Sequence, residues 1–214
     1  AIQSINIQSG IFCLMKDRFQ DIIWVGADGQ GIYMYFTDEF SIENVLLDVP
    51  EYRVNNPVRA LFLDHEQTLW IGTKGGGILR MMDFHPDRET LPQAERILAN
   101  NSALMDNSVY SFAPGRRNSL WIGTEDGLNY YSYLTRRIEE FPVIADGKKV
   151  KYVHSICETN DSTLWVVSAG EGIVKITLEA SSSLPKVKSA QRFTLDGGKR
   201  NSNYFFVSYQ ENDS

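Results

Sequence analysis

Cysteine and histidine are scarce in this sequence, and the residues present are not spaced for metal chemistry. Cys13 and Cys157 stand far apart in apolar segments, without the Cys-x-x-Cys spacing of a metal site, and read as free thiols of a core. The three histidines, His65, His85 and His154, are scattered and form no His-x-x-x-His pair, so neither a metal nor a cofactor is expected. Apolar runs are only a few residues long, which leaves nothing to span a bilayer and no direct membrane contact to expect. There is no basic block either. With Lys+Arg 21 against Asp+Glu 27 the net charge is −6, which disfavours nucleic acid as a partner.

Signatures of catalysis are missing as well. No Gly-x-Ser-x-Gly elbow occurs, and Gly75-Gly76-Gly77 lacks the Gly-Lys-Ser/Thr ending of a phosphate loop. That triplet reads as a turn that needs positive φ. Carboxylate pairs such as Glu125/Asp126 and Glu139/Glu140 are adjacent in sequence, so on a strand they would point apart. No catalytic residue is assigned.

What the sequence does hold is a repeat. Trp24, Trp70, Trp121 and Trp165 follow one another at 46, 51 and 44 residues, each inside the same phrase. Leu69-Trp70-Ile71-Gly72-Thr73 and Leu120-Trp121-Ile122-Gly123-Thr124 are the cleanest copies, and Val167 replaces the glycine in the fourth. Self-similarity at this period marks a repeat architecture. Ahead of each Trp lies a short apolar strand (11–15, 58–63, 109–113, 153–157) and a polar turn. After it come a Gly-rich turn, a third strand (32–35, 78–82, 128–132, 173–178) and a more polar fourth (40–46, 95–98, 137–141, 191–194). In the third unit Pro114-Gly115-Arg116-Arg117 is expected to distort the turn.

Four short strands with tight turns in under about fifty residues make one propeller blade. The fold class is therefore all-β, a β-propeller fragment with four complete four-stranded blades at about 9–46, 56–98, 107–141 and 151–194. Flanking strands at 3–7 and 204–209 read as parts of further blades at both ends. The first strand of each blade, apolar almost throughout, is expected to pack on both faces, and each Trp to fill the gap between stacked sheets. The connection 83–107 is long enough to form a lid or a contact with a partner.

The phrase Asn-Ser/Pro-Val, strand, polar turn, Leu-Trp-Ile-Gly-Thr and Gly-Gly-Ile resembles the two-component regulator propeller repeat. It runs from Asn56-Pro57-Val58 to Gly76-Gly77-Ile78 and from Asn107-Ser108-Val109 to Asp126-Gly127-Leu128. The resemblance implies an extracytoplasmic, periplasmic sensor region of a Bacteroidetes-type hybrid histidine kinase, a class that detects carbohydrate fragments. Its implied partners are an oligosaccharide or other small ligand, the remaining blades and sensor domains of a longer protein, and a second protomer in a homodimer. The turn 64–70 faintly resembles the sialidase Asp-box but lacks its central glycine.

A ligand-binding rim follows from strand direction. Strands one and two of a blade are antiparallel, so the start of the first and the end of the second share one rim. There the second inner-strand position varies as Phe12, Arg59, Tyr110 and His154, and the adjacent turns contribute Asp28, Lys74, Glu125 and Glu171. Aromatic rings among mixed polar groups suit a sugar, with rings covering C–H faces and charges gripping hydroxyls. Competing readings are local packing, a scaffold or dimerisation propeller with no ligand site of its own, and a propeller lyase or glycoside hydrolase, which would need a carboxylate pair across a cleft.

Overall fold

A run such as Leu69–Thr73, apolar on both alternating faces, satisfies its side chains only as a strand covered on both sides. That is how it folds. The computed structural model describes residues 4–44, 53–82, 84, 93–160 and 162–194. By internal packing the chain divides into two compact units, residues 1–97 and 98–214.

The first unit contains two antiparallel sheets. One is formed by β1 (Ile11–Lys16), β2 (Ile22–Ala27), β3 (Ile32–Phe36) and β4 (Ser41–Asn44), and the other by β5 (Val58–Leu63), β6 (Leu69–Thr73), β7 (Ile78–Met82) and β8 (Gln93–Ile97). The second unit repeats the plan. Its sheets are β9 (Val109–Gly115), β10 (Ser119–Thr124), β11 (Leu128–Ser132) and β12 (Arg137–Phe141), then β15 (Val153–Asn160), β16 (Thr163–Ser168), β17 (Gly172–Leu178) and β18 (Val187–Phe193). Between them lies a hairpin that the sequence reading did not include, β13 (Ile144–Ala145) with β14 (Lys148–Lys149). In each sheet the strands lie in chain order, the up-and-down meander of a propeller blade.

Inner strands adjoin within each unit, β1 beside β5 and β9 beside β15. The glycine after each Trp-Ile or Trp-Val is what lets them approach. A Cβ at Gly26 would overlap Cys13 Sγ and lie 2.7 Å from Val58 Cγ1; one at Gly123 would overlap Ser111 Oγ and lie 2.5 Å from the Val153 carbonyl oxygen. Trp24, Trp70 and Trp121 are fully buried, as their place in the repeat requires. Trp121 is boxed in by Phe141 and Tyr130 in edge-on contacts at 5.0 and 5.9 Å. Trp165 differs: it is half-buried, flanked by Phe193 at 6.0 Å and Lys175 at 5.7 Å.

Several boundaries move. Residues 4–7 form no strand, so the flanking strand expected at 3–7 is corrected over its described part: Ser4-Ile5-Asn6-Ile7 alternates as a strand would, but no described strand pairs with it. The segments 204–209 and 85–92, with His85, lie outside the described residues. Inner strand β1 is not packed on both faces: Ile11, Phe12 and Leu14 are 49, 41 and 65% exposed, since within this unit only the β5 side is covered. The turn after Ala113 does depart from those of the first two blades: β9 runs on through Pro114 and Gly115, opposite Leu120 and Ser119, and the turn is shortened to residues 116–118, with Asn118 at φ 49°.

Candidate functional site

One irregularity recurs in all four blades. Ile11 faces Ala27 and Cys13 faces Gly26, which leaves Phe12 as the extra residue of a β-bulge. The same shift places Arg59 between paired Val58 and Ala60, Tyr110 between Val109 and Ser111, and His154 between Val153 and Ser155. A bulge interrupts the ladder and re-aims one side chain, which frees this position from the apolar demand on its neighbours. The four residues that vary across the repeats thus sit at one backbone device.

Beside each bulge the turn is tied back by the same bond. Asp28 N donates to Gly10 O at 2.8 Å, Lys74 N to Pro57 O at 2.9 Å, Glu125 N to Ser108 O at 2.9 Å, and Ala169 N to Tyr152 O at 2.9 Å. Asp28, Lys74 and Glu125 therefore occupy equivalent rim positions. Glu171 does not: its equivalent is Ala169, and Glu171 lies two residues further on, paired with Arg192 Nη1 at 2.9 Å.

Neighbouring bulge residues meet face to face within each unit. In the first, the Arg59 guanidinium lies 3.7 Å from the centre of the Phe12 ring. In the second, the Tyr110 and His154 rings are stacked, 4.3 Å apart and 12° from parallel. The Tyr110 hydroxyl donates to Glu125 Oε2 at 2.9 Å. Tyr152, just before β15, adds an exposed ring held at φ 50°, and its N–H donates to the Glu125 carbonyl oxygen at 2.8 Å. No feature of the sequence marked Tyr152, since its placement follows from a left-handed backbone that a tyrosine seldom adopts.

Next to this platform Asp126 bridges two cations, Lys149 Nζ at 2.6 Å and Lys151 Nζ at 2.8 Å. Hydrogen bonds from these two ammonium groups hold the Asp126 carboxyl below its ordinary value of 3.8. Lys149 belongs to the unforeseen hairpin, so this ion triplet fastens the hairpin to the rim. Glu125 and Asp126, though adjacent, do point to different partners.

The opposite ends of the strands carry a second recurrent device, which sequence reasoning missed. Asp17 Oδ2 accepts from Trp24 Nε1 at 2.9 Å, and Asp64 Oδ2 from Trp70 Nε1 at 2.9 Å. The second carboxylate oxygen closes the turn, as Asp64 Oδ1 does on the amides of Glu66 and Thr68. In the third blade Gly115 stands where the aspartate would, and Glu158 Oε2 of neighbouring β15 takes the Trp121 N–H instead, at 2.8 Å. The signal available was an Asp six or seven residues before Trp in the first two units. A pocket opens here too, lined by Asp17, Phe19, Trp24, Leu63 and Phe84, away from the bulges. Its one carboxylate, Asp17, is spent on the turn and the Trp.

Among the described residues no cluster of three or more His, Cys, Asp or Glu could hold a metal ion, and no helix is long and apolar enough to cross a membrane. Burial pushes the Cys13 thiol up to about 12 and raises that of Cys157.

Successive four-stranded meanders with a shared Trp strand define a β-propeller. Residues 53–75 and 103–126 match the family model of the two component regulator propeller. Histidine kinase P4 of Formosa agariphila is 27% identical over 181 residues, 83% of this chain and 13% of that protein. Among solved structures, the extracellular domain of a protein described as a hybrid two component system from B. thetaiotaomicron shares the fold at a TM-score of 0.64 and 22% identity, over 83% of this chain and 22% of that one. PorZ, a surface component of the type-IX secretion system of Porphyromonas gingivalis, aligns at 0.65 and 15%, over 92% and 29%. The chain thus spans less than a third of each relative.

Proposed function

We propose that this chain is part of the ligand-sensing, periplasmic region of a hybrid two-component sensor kinase, and that its bulge rim binds an oligosaccharide. The observation that carries this reading is the bulge repeated in four blades. It turns one side chain per blade out of an otherwise apolar strand, and what stands there is planar in every case: Phe12, Arg59, Tyr110, His154. In the first unit the stacked Phe12 and Arg59 stand beside Asp28 and Lys74, and in the second the stacked Tyr110 and His154 stand beside Glu125; either set suits a sugar, whose C–H face covers a ring while its hydroxyls reach charged groups. Repeats shared with histidine kinase sensor regions supply the context. Binding acts on the kinase through a difference in affinity between two arrangements of the longer protein, which in this reading is a homodimer.

Calorimetric titration of the full chain with a panel of oligosaccharides tests this. Expected is saturable binding to at least one, weakened tenfold or more by Tyr110→Ala. Binding indifferent to Tyr110→Ala and Arg59→Ala would move the site off the rim, towards a scaffold role for these blades.

A further inference from the structure

The four bulge positions and their turns do not carry the same chemistry. Phe12 is set beside Asp28, Tyr110 beside Glu125 and His154 beside Ala169, whereas Arg59 is set beside Lys74, a doubly cationic pair. Among the described residues neither cation has an ion-pair partner. Arg59 stacks on the Phe12 ring, at 3.7 Å, and among the described residues its buried Nε has no hydrogen-bond partner. Lys74 is tied only through its backbone, where its N–H meets Pro57 O and its carbonyl oxygen takes the Asn56 side-chain amide at 3.1 Å.

An arginine in this state is unusual. The guanidinium carries five donors in a planar fork and is normally matched by carboxylates or carbonyls. Three other arginines each spend at least one donor, although Arg80 and Arg192 likewise bury an Nε without a partner: Arg80 pairs with Glu95 at 2.8 Å, Arg192 with Glu171 at 2.9 Å, and Arg96 donates to the Arg53 carbonyl oxygen at 2.8 Å. Stacking on Phe12 fixes the plane of Arg59 but satisfies none of its donors, since a ring face offers charge attraction and not lone pairs. The result is a fork ordered in advance with its hydrogen-bonding edge unspent, beside a second unpaired cation. In a chain of net charge −6, two adjacent unpaired cations oppose the overall field.

Resting on the rim reading above, we propose that Arg59 and Lys74 recognise an oxyanion on the ligand, so that the oligosaccharide class is acidic, bearing a carboxylate or a sulfate. Arg59 takes the group through its planar fork and Lys74 acts as a point charge, while Phe12 keeps the fork in position. The rim of the other unit, taken by itself, has Tyr110 donating to Glu125 and offers a stacking platform without an anion site.

The test uses three oligosaccharides of equal length, one neutral, one with uronate carboxylates and one sulfated, titrated into the full chain by calorimetry. Arg59→Lys keeps the charge but loses the fork, and exposed Lys74→Gln removes a charge at no cost to the core. Expected is a charged sugar bound at least about tenfold more tightly than the neutral one, a preference that shrinks with added salt and is lost in Arg59→Lys. Whichever charged sugar is preferred identifies the group. Equal affinity for neutral and charged sugars, or a preference that survives both substitutions, would overturn the oxyanion assignment and leave the rim reading standing. Failure of all three sugars to bind a chain folded by circular dichroism would overturn both.

Discussion

Trp121 and Glu158 belong to different blades, yet the indole N–H of the one donates to the carboxylate of the other at 2.8 Å. In the first two blades the same indole bond is satisfied locally, by Asp17 and Asp64. The third blade has outsourced it. Glu158 also accepts the amide of Arg116 at 3.0 Å, so a single carboxylate closes one blade's turn and fixes that blade to the next. Glu158→Ala should therefore cost about 1–3 kcal/mol, the range for leaving a buried donor unpaired, and Glu158→Gln less, because an amide oxygen still accepts. Urea denaturation of the two variants measures this. Restoring the local aspartate with Gly115→Asp should not rescue Glu158→Ala: a Cβ at residue 115 would overlap Ser119 Oγ and lie 2.9 Å from the Ser119 carbonyl oxygen. A rescued midpoint would show the turn to be more yielding than this geometry allows.

Much of this architecture was legible from residue identities. The Trp spacing and the apolar phrase located sixteen strands in four sheets, because burial on both faces leaves few sequence solutions for an inner strand. Edges were harder. The outer strand of the fourth blade begins at Val187, four residues ahead of the expected 191, since an edge strand meets solvent and carries little apolar signal. The hairpin 144–149 is two residues on each side, too short for any periodicity. At the rim, Phe12, Arg59, Tyr110 and His154 were identified as variable positions in an apolar run. That each is a bulge was not visible, because a bulge is a property of pairing register and not of one strand. Glu171 was misaligned with its counterparts for a related reason: Ala169 makes the equivalent backbone bond, and its side chain leaves no trace of it.

Gly123 is the second structural lever. Its absent side chain is where Ser111 and the Val153 backbone come together, so Gly123→Ala forces β9 and β15 apart. Overpacking of this kind costs about 1–3 kcal/mol, and the expected outcome is a lowered denaturation midpoint with an unchanged slope. Wild-type stability in Gly123→Ala would mean the adjoining inner strands move freely past one another.

Cys13 offers a probe of the same junction in the first unit. Its thiol is enclosed beside Gly26, with Sγ 3.7 Å from the Val58 carbonyl oxygen, and burial pushes its pKa up to about 12. Only the thiolate is a competent nucleophile, so in the native chain at mildly alkaline pH Cys13 should resist iodoacetamide and become reactive on adding denaturant. Mass spectrometry of the peptide containing Cys13, before and after denaturation, reads this. Fast native labelling would show that β1 opens from β5 on the timescale of the reaction.

Acid should loosen the rim of the second unit before its core. Asp126 is held below its ordinary value of 3.8 by Lys149 and Lys151, so folding favours its ionised form. The stabilisation is present in full above that ordinary value and is lost as pH falls through the lower native value, because the unfolded chain takes up the proton first. Asp126 is partly open to solvent, with its side chain 35% exposed, so the global effect is small, under about 1 kcal/mol after screening. The local effect is larger, since protonation removes the ion pair to Lys149 that fastens β14 to the rim, together with the pair to Lys151 just beyond it. Hydrogen exchange of amides in 144–150 should therefore accelerate, relative to those of β10 and β11, as pH drops below about 3.8, once corrected for intrinsic rates. In Asp126→Asn the acceleration should already be present at neutral pH and show no further change through that window. Identical protection in both proteins at neutral pH would leave the hairpin anchored by the Val150 amide on the Val143 carbonyl, at 2.9 Å, with no contribution from the ion triplet.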